Sequence, residues 1–295
     1  MPLLDRLAAL LLVTVWGLNF VAIRLGVDDV PPLLLGALRF LFVAFPAVLL
    51  VPRPQVPLRL VAAYALTIGF GQFAFLFSAI HAGMPAGLAS LVLQAQAFMT
   101  LALSAVVFGE RMQAHNFAGI LIALAGLVGL VVASTGGQAA TLPGFALTLC
   151  AALCWATGNV VNKAIGPTRA LSLIAWSAIV PVVPFLLASL VLEGGPRIAS
   201  SLAHPTLKLA GVVAFLSLGA SLVGYSLWAW LIARHSIWKV APLPLMVPIV
   251  GMGSAWLLLG EKLTLPQVLA SGAVLVGLVV NSFGPDVLRL VRRMR

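Results

Sequence analysis

Apolar stretches follow one another along almost the whole chain, and no other feature restricts the possible folds so strongly. A helix that crosses the hydrocarbon core of a bilayer needs about 20 consecutive, mostly apolar residues. Short breaks rich in Pro, Gly or charge separate the stretches, for example at residues 28–32, 52–57 and 193–196. We therefore predict ten transmembrane helices joined by short loops. The predicted spans are residues 6–25, 33–51, 60–80, 86–108, 116–133, 143–163, 170–192, 208–232, 238–259 and 265–283.

The composition agrees with an all-α membrane protein that has lipid as a partner. Hydrophobic residues make up 62% of the 295 residues and charged residues only 8%. In a soluble domain, charged residues make up about 25% of the chain. The net charge of +10 does not indicate nucleic-acid binding, because the basic residues are spread over span ends and form no basic face.

Lys and Arg also predict the orientation of the chain in the membrane. Cytoplasmic loops of membrane proteins carry an excess of these residues. An even number of spans places both termini on one side, and that side collects 12 of the 17 Lys and Arg residues. The other side has four, and Arg39 lies within a span. We therefore predict that both termini are cytoplasmic.

The second half of the chain repeats motifs of the first half. Gly-Glu followed by a basic residue occurs at residues 109–111 and again at residues 260–262. Trp16 aligns with Trp155, and Asn19 falls within one residue of Asn159 when the halves are superposed. Matches of polar residues at corresponding span positions indicate an internal repeat.

The repeat predicts how the two halves are oriented. We divide the chain into a first repeat of residues 1–138 and a second of residues 139–295, with five spans in each. Because five is an odd number, the second repeat is inverted in the membrane relative to the first. Inverted repeats around a central cavity are typical of transporters, because they supply two related conformations that open to opposite sides.

Acidic residues are absent from the predicted middle of the membrane. The acids are Asp5, Asp28, Asp29, Glu110, Glu193, Glu261 and Asp286, all at span ends or in loops. Proton relays and exporters of cationic drugs commonly use a carboxylate within a span, so the pattern argues against both. The four His residues are scattered over loops, and no catalytic or phosphate-binding motif occurs. We predict no metal, no cofactor and no enzymatic activity.

Uncharged polar and aromatic side chains inside the spans are the candidate substrate-binding residues. Amides in hydrocarbon are unfavourable unless they are paired or face water. We predict that these groups line a central cavity that binds a small polar solute. Hydrogen bonds between helices are the alternative interpretation of each residue by itself. The candidates are Trp16, Asn19, Gln72, Gln94, Gln96, Trp155, Asn159, Ser221, Tyr225 and Trp228.

Prolines predict a bend in the ninth span. Pro242, Pro244 and Pro248 lie within seven residues of one another. Proline removes a helical hydrogen bond and frees a carbonyl, which can line a pathway or act at a gating bend. A kink without any functional role is the alternative.

Two other features leave alternatives open. Small residues four apart, at Ala125, Gly129 and Ala133 and at Ala273 and Gly277, predict close helix packing, and either a monomer or a homodimer is compatible with them. Arg39 is predicted to extend toward the non-cytoplasmic interface, with Asp28 or Asp29 as its counter-charge. Binding of a substrate carboxylate is the alternative role for Arg39.

Polar and proline positions over nearly the whole chain resemble the EamA family of the drug/metabolite transporter superfamily. Within this family the chain is most similar to bacterial inner-membrane exporters of cysteine and O-acetylserine, and less similar to exporters of aromatic amino acids. One departure is Ser177, which roughly aligns with Arg39 in the second half. The segments that carry the resemblance are residues 16–24, 31–33, 38–40, 83–96, 109–111, 155–159, 240–243 and 260–262.

The resemblance implies a ten-helix inverted-repeat fold in the bacterial inner membrane, with a cavity lined by spans one, three, four, six, eight and nine. It also implies export of amino acids from the cytoplasm. We therefore expect an alternating-access exporter of small neutral amino acids and related metabolites. An exporter of aromatic amino acids or apolar drugs is the alternative within transport. A lipid scramblase or a membrane scaffold without transport activity is the alternative from another class.

Overall fold

The fold was analysed in a computed structural model that describes residues 2–135, 140–235, 240 and 243–293, with only the backbone for residue 135 and residues 285–293. Within these residues all regular secondary structure is helical, which confirms the predicted all-α class. The long helices are α1 (Leu3–Asp29), α2 (Pro32–Leu50), α3 (Leu58–His81), α4 (Ala86–Phe108), α5 (Ala114–Thr135), α6 (Leu142–Ile165), α7 (Ala170–Leu192), α8 (Leu207–Arg234), α9 (Leu243–Leu259) and α10 (Leu265–Arg293). A short helix, Gly195–Ala203, connects α7 to α8.

The lengths and surfaces of these helices fit a bilayer. In the described part of the chain, nine helices are long and apolar enough to cross a membrane, all except α9. Helix α9 is apolar and has 17 residues, which is at the lower limit of about 17 residues for a span. Large apolar side chains cover the outer face of the molecule; Leu121 and Val132 on α5 are each 67% exposed. Lipid rather than water is the solvent that such a surface fits.

Helices α5 and α10 run antiparallel in close contact. The side chains of Asn116 and Asn281 are joined by a hydrogen bond of 2.9 Å, and those of Ser134 and Gln267 by one of 3.2 Å. The start of α5 therefore lies beside the second half of α10, and its end lies beside the start of α10. Between these bonds the backbones nearly touch, since a Cβ atom added at Gly277 would lie 2.6 Å from the carbonyl oxygen of Gly119.

The contact surface on α5 differs from the predicted one. Gly119, Ala123 and Gly126 face α10, whereas Ala125, one position from Gly126, is exposed. A Cβ atom added at Gly129, one of the predicted small residues, would lie 3.3 Å from the Ala270 Cβ atom of α10, so Gly129 also faces α10. The small residues that face α10 are three or four apart, and because other small residues lie on each helix, spacing alone does not decide which of them face the partner helix.

Helices α2 and α7 also run antiparallel. At one end, the Glu193 carboxylate at the end of α7 accepts hydrogen bonds of 2.6 and 3.1 Å from the backbone N–H groups of Leu33 and Leu34 at the start of α2. At the other end, the Trp176 indole N–H donates to the Val51 carbonyl oxygen at 3.0 Å. A carboxylate at the positive end of the α2 dipole is favourable and fixes these two ends together.

Helix α4 changes its packing partner partway along its length. Its first part, Ala86–Val92, packs on α9, whereas its second part, Ala95–Phe108, packs on α6. The two parts meet at a tightened turn, where Gln94 donates its backbone N–H to Leu91 and accepts one from Ala97. Helices α4 and α9 are therefore packed together at one end, and the change of partner leaves space between them beyond Gln94.

Two other helices contain π-helical turns, which are wider than α-helical turns. Residues Ala65–Gly71 of α3 and Phe215–Val223 of α8 have this geometry. Such turns alter the direction in which later side chains point, and they occur frequently at functional sites. Both occupy the same position in the third helix of their half, so they alter the helix direction at related points.

The repeated Gly-Glu motifs end α4 and α9. Gly109 and Gly260 adopt left-handed backbone conformations with φ of 68° and 69°, which terminates each helix. Glu261 then accepts hydrogen bonds from the backbone N–H groups of Ala86 and Gly87, at 2.7 and 2.9 Å, and so caps the start of α4. Its counterpart Glu110 instead forms an ion pair with Lys163. The same motif therefore makes different contacts in the two halves.

Candidate functional site

A cavity of about 490 Å³ lies between the two halves of the chain. Its size is within the range of about 300–1,000 Å³ that is usual for small-molecule sites. Helices α1, α3, α4, α6, α8 and α9 contribute to its wall, as the family resemblance implied. Helices α2 and α7 contribute as well, through Arg39 and through Leu173 and Ile174. The cavity therefore has a more extensive wall than the resemblance implied.

The cavity opens toward the loop between α6 and α7. Asn162, Pro167 and Ala170 line this end and are exposed. The opposite end is filled by large side chains, including Phe77 and Met84, which are 0% and 1% exposed. Because successive long helices alternate in direction, the open end lies on the same side as the start of α1.

The structure brings the predicted substrate-binding residues together, with one exception. The side chains of nearly all of them line the cavity, and they come from five different helices. Ser221 lies behind this wall, beside a smaller recess of about 30 Å³. Tyr225 lines both the recess and the cavity, and the Ser221 hydroxyl donates within its own helix to the Leu216 carbonyl oxygen at 2.9 Å. The residues that line the cavity are Trp16, Asn19, Gln72, Gln94, Gln96, Trp155, Asn159, Tyr225 and Trp228.

An aromatic cluster forms one side of the cavity. The Trp16 ring lies 5.5 Å from the Tyr225 ring and 5.8 Å from the Trp228 ring, measured between centroids. The Trp16 indole N–H donates to the Ala220 carbonyl oxygen at 3.1 Å, so its polar edge is satisfied and its orientation is fixed. The cluster provides rigid aromatic faces against which a solute can pack.

An amide cluster joins α4 to α6 on another side. The Asn159 side-chain N–H₂ donates to Gln96 Oε1 at 2.9 Å and to Thr100 Oγ1 at 3.1 Å. These bonds link two helices, and both amides also line the cavity. The two interpretations offered by the sequence, interhelical bonding and cavity lining, therefore both apply here.

The prolines of α9 explain the position of Gln94. Pro248 has no N–H, so the carbonyl oxygen of Pro244, four residues earlier, has no helical donor. The Gln94 side-chain N–H₂ donates to that oxygen at 2.8 Å, across from α4. Pro244 lies in the first turn of α9 and lines the cavity, while Pro248 is buried inside the helix. Pro242, the third predicted bend residue, lies outside the described residues.

Arg39 does not extend to the interface, and this sequence prediction was wrong. The residue is 2% exposed, and its guanidinium donates to Asn19 Oδ1 at 3.2 Å and to Ser221 Oγ at 3.0 and 3.3 Å. Its Cζ atom lies 4.0 Å from the centroid of the Phe73 ring. The predicted counter-charges are engaged elsewhere, Asp28 with Arg24 and Asp29 with Lys208. The carboxylates lie beyond reach because two helical turns separate Arg39 from the start of α2, next to which Asp28 and Asp29 lie.

Carboxylates are missing from the cavity wall in the part of the chain that the structure describes. The described acids are instead paired near helix ends. Asp5 contacts His235, Glu110 contacts Lys163, and Glu193 and Glu261 bind helix starts. An ion buried without a counter-ion costs several kcal/mol, on the order of 3–5 when a partner is missing. Arg39 therefore makes the cavity a site of net positive charge.

Sequence reasoning missed several residues of the wall. Tyr64, Phe73 and Asn162 line the cavity and were not among the candidates, whereas Arg39, which also lines it, was given a binding role only as the alternative interpretation. Arg39 had a usable signal, because a charged residue inside a span usually faces a cavity rather than lipid. Tyr64 and Phe73 had none, since aromatic residues also fill the core of membrane proteins.

Comparison with protein families gives one matching family model. The model of the EamA-like transporter family matches residues 6–132 and again residues 142–283. Together these two stretches cover most of the chain, and each contains one set of the long helices α1–α5 or α6–α10.

Comparison with individual proteins agrees with the family match. The chain is 52% identical over 292 residues to a protein of Salmonella typhimurium named "Probable amino-acid metabolite efflux pump", covering 98% of both chains. A protein of Escherichia coli with the same name is 50% identical over 284 residues, or 95% of both chains. A solved crystal structure shares the fold with a TM-score of 0.64 at 22% identity, covering 95% of this chain and 96% of the other.

Proposed function

Because the chain belongs to the EamA-like transporter family, we propose that it exports small neutral amino acids and related metabolites, such as cysteine and O-acetylserine, from the cytoplasm. The observation that carries this proposal is the cavity, which combines amide groups and aromatic faces with an opening on one side. Amides can donate to a carboxylate and accept from an ammonium group. Aromatic faces can cover a small side chain and attract a cation. The names of the two similar efflux pumps support the same substrate class.

We propose that transport occurs by alternating access between two inverted five-helix repeats, residues 1–138 and 139–295, that together make ten crossings. The corresponding helices α2 and α7, and likewise α5 and α10, run antiparallel to each other, which is the relation that inversion requires. With both termini in the cytoplasm, the open end of the cavity faces the cytoplasm and the closed end faces outward. The contacts of Glu261 and Glu193 then belong to the outer closure.

Transport in liposomes tests the proposed function. Purified protein is reconstituted, and the uptake of labelled serine, cysteine and O-acetylserine is compared with that of phenylalanine, tryptophan and ethidium. We expect the small neutral amino acids to move several-fold faster than in protein-free liposomes, with weak movement of the others. The proposal fails if no neutral amino acid moves under any imposed proton or sodium gradient. The same liposomes, made with a fluorescent lipid, are treated with a membrane-impermeant bleaching reagent. Loss of fluorescence from lipids of the inner leaflet would favour a scramblase instead.

Removing Asn159 is expected to weaken transport without unfolding the protein. The Asn159→Ala variant removes the shorter of the two hydrogen bonds that Gln96 Oε1 accepts, the other coming from Thr100 at 3.4 Å, and so loosens an amide that lines the cavity. Loss of one such hydrogen bond costs about 1–3 kcal/mol, so we expect the half-saturating substrate concentration to rise about tenfold. Asn116→Ala is the matched control, because Asn116 also donates to another amide but lies far from the cavity, between α5 and α10. Equal transport kinetics in both variants would remove Asn159 from the site.

A further inference from the structure

Arg39 has the environment of an anion-binding residue. It is nearly fully buried, lines the cavity and contacts neutral groups: Asn19, Ser221 and the face of Phe73. An arginine remains charged in proteins, and its guanidinium has more N–H donors than the three hydrogen bonds to Asn19 and Ser221 use. Both terminal nitrogens therefore retain an N–H that can be directed at a ligand.

The cost of burying this charge indicates a function rather than a structural role. A buried cation with no counter-ion destabilises a fold, and the described side chains around the cavity include no Asp or Glu. The guanidinium is planar and matches a carboxylate with two parallel hydrogen bonds. A carboxylate supplied by the solute is therefore the group that completes this site.

A second unsatisfied group lines the same cavity as Arg39. Gln72 is 3% exposed and lines the cavity, and its Oε1 atom has no hydrogen-bond partner. It precedes Phe73, whose ring the Arg39 guanidinium covers. A buried carbonyl oxygen without a donor is rare and unfavourable, and it is an acceptor for a ligand donor such as an ammonium group. The wall of one cavity thus holds both a donor-rich cation and a free acceptor.

We propose that Arg39 binds the carboxylate of the solute and that Gln72 accepts a hydrogen bond from its ammonium group, so that the substrates are free α-amino carboxylates. This inference rests on the proposed function and specifies its substrate class. Amines, esters and amides that lack the carboxylate leave Arg39 uncompensated and are excluded. Carboxylates that lack the ammonium group bind more weakly than amino acids but are not excluded.

Binding measurements on the purified protein test the inference independently of transport. Trp16, Trp155 and Trp228 line the cavity and report ligand binding through their fluorescence. The reference ligand is serine. Ethanolamine lacks its carboxylate, serine methyl ester lacks the carboxylate charge, and glycerate lacks the ammonium group. For the wild-type protein we expect serine to bind most tightly, glycerate next, and the ester and ethanolamine at least about tenfold more weakly than serine. Equal binding of serine and its methyl ester would overturn the inference.

Variants assign the two roles. Arg39→Gln is expected to weaken the binding of serine and glycerate at least about tenfold and to leave the binding of ethanolamine unchanged. Arg39→Lys keeps the charge and is expected to restore part of the affinity. Gln72→Leu is expected to lower the affinity for serine to that for glycerate. Arg53→Gln is the matched control, because Arg53 lies exposed in the loop after α2.

Thermal stability separates a binding role from a structural one. Because Arg39 is an uncompensated buried cation, Arg39→Gln is expected to melt at the same temperature as the wild type or higher. A lower melting temperature together with unchanged discrimination between serine and its ester would make Arg39 structural and overturn the inference. If the wild-type protein binds serine selectively but moves none in liposomes, the exporter proposal fails while the carboxylate site stands.

Discussion

Replacing Gly277 by leucine is expected to separate α5 from α10 and to cause the largest loss of stability among the variants considered. A Cβ atom at this position would lie 2.6 Å from the Gly119 carbonyl oxygen and 2.8 Å from the Ala123 backbone nitrogen. Backbone atoms cannot relieve a clash by changing rotamer as a side chain can, so the two helices must move apart along their interface. Overpacking usually costs about 1–3 kcal/mol, and contact with backbone places this variant at the upper end or beyond. Heating of the detergent-solubilised protein, followed by size-exclusion chromatography, measures the effect.

The same helix provides a matched control for this prediction. Gly272→Leu places an identical side chain on α10 at a glycine with no other group within 4 Å of the added Cβ. We expect this variant to melt close to the wild-type temperature, because the side chain enters open space at the lipid-facing surface. Equal melting temperatures for the two leucine variants would contradict the packing assigned to α5 and α10.

Removing the charge of Glu261 is expected to open the closed end of the cavity. The carboxylate accepts two hydrogen bonds at the start of α4 and interacts with the positive end of its dipole. In Glu261→Gln one amide N–H₂ group must face a backbone N–H, so at least one of these bonds is lost. A hydrogen bond to a charged group contributes about 1.5–3 kcal/mol, which corresponds to a shift of at least about tenfold toward the open conformation.

Cysteine labelling detects this opening. On a background in which Cys150 and Cys154 are replaced by serine, Met84→Cys places a thiol in the closed end, where Met84 is 1% exposed. We expect slow reaction with a membrane-impermeant maleimide, and a rate about tenfold higher after Glu261→Gln is added. Glu110→Gln is the control, because Glu110 forms only a half-exposed ion pair with Lys163. If both glutamine variants leave the thiol equally protected, Glu261 does not hold this end closed.

The sequence predicted the helices well because membrane spans are specified by length and polarity alone. All-α structure, the membrane setting and the positions of the Gly-Glu motifs at the ends of α4 and α9 followed from these properties. The polar residues predicted for the cavity also converge, because an amide in a membrane helix has few favourable positions other than a polar interior. Their role in binding a substrate stays a prediction.

The features that the sequence did not predict depend on local geometry, which hydropathy does not encode. Ser221 lies behind the cavity wall, within a π-helical turn of α8 that the sequence does not reveal. Arg39 points inward because α2 packs beside α3 and α8, and the sequence shows only its depth in the span, not the helix face that it occupies. The pairing of Gln94 with the Pro244 carbonyl depends on two helices whose contact no single segment reveals.

Counterflow in liposomes tests most directly whether one solute-binding cavity is exposed alternately to the two sides of the membrane. Liposomes that contain the purified wild-type protein are loaded with unlabelled serine and diluted into a trace of labelled serine. We predict a transient accumulation of labelled serine inside the liposomes above its equilibrium level. Each unlabelled serine that leaves brings the binding site to the outside, where it binds labelled serine and carries it in. Equilibration without any overshoot, or entry that does not saturate with concentration, would contradict an alternating cavity and the account built on it.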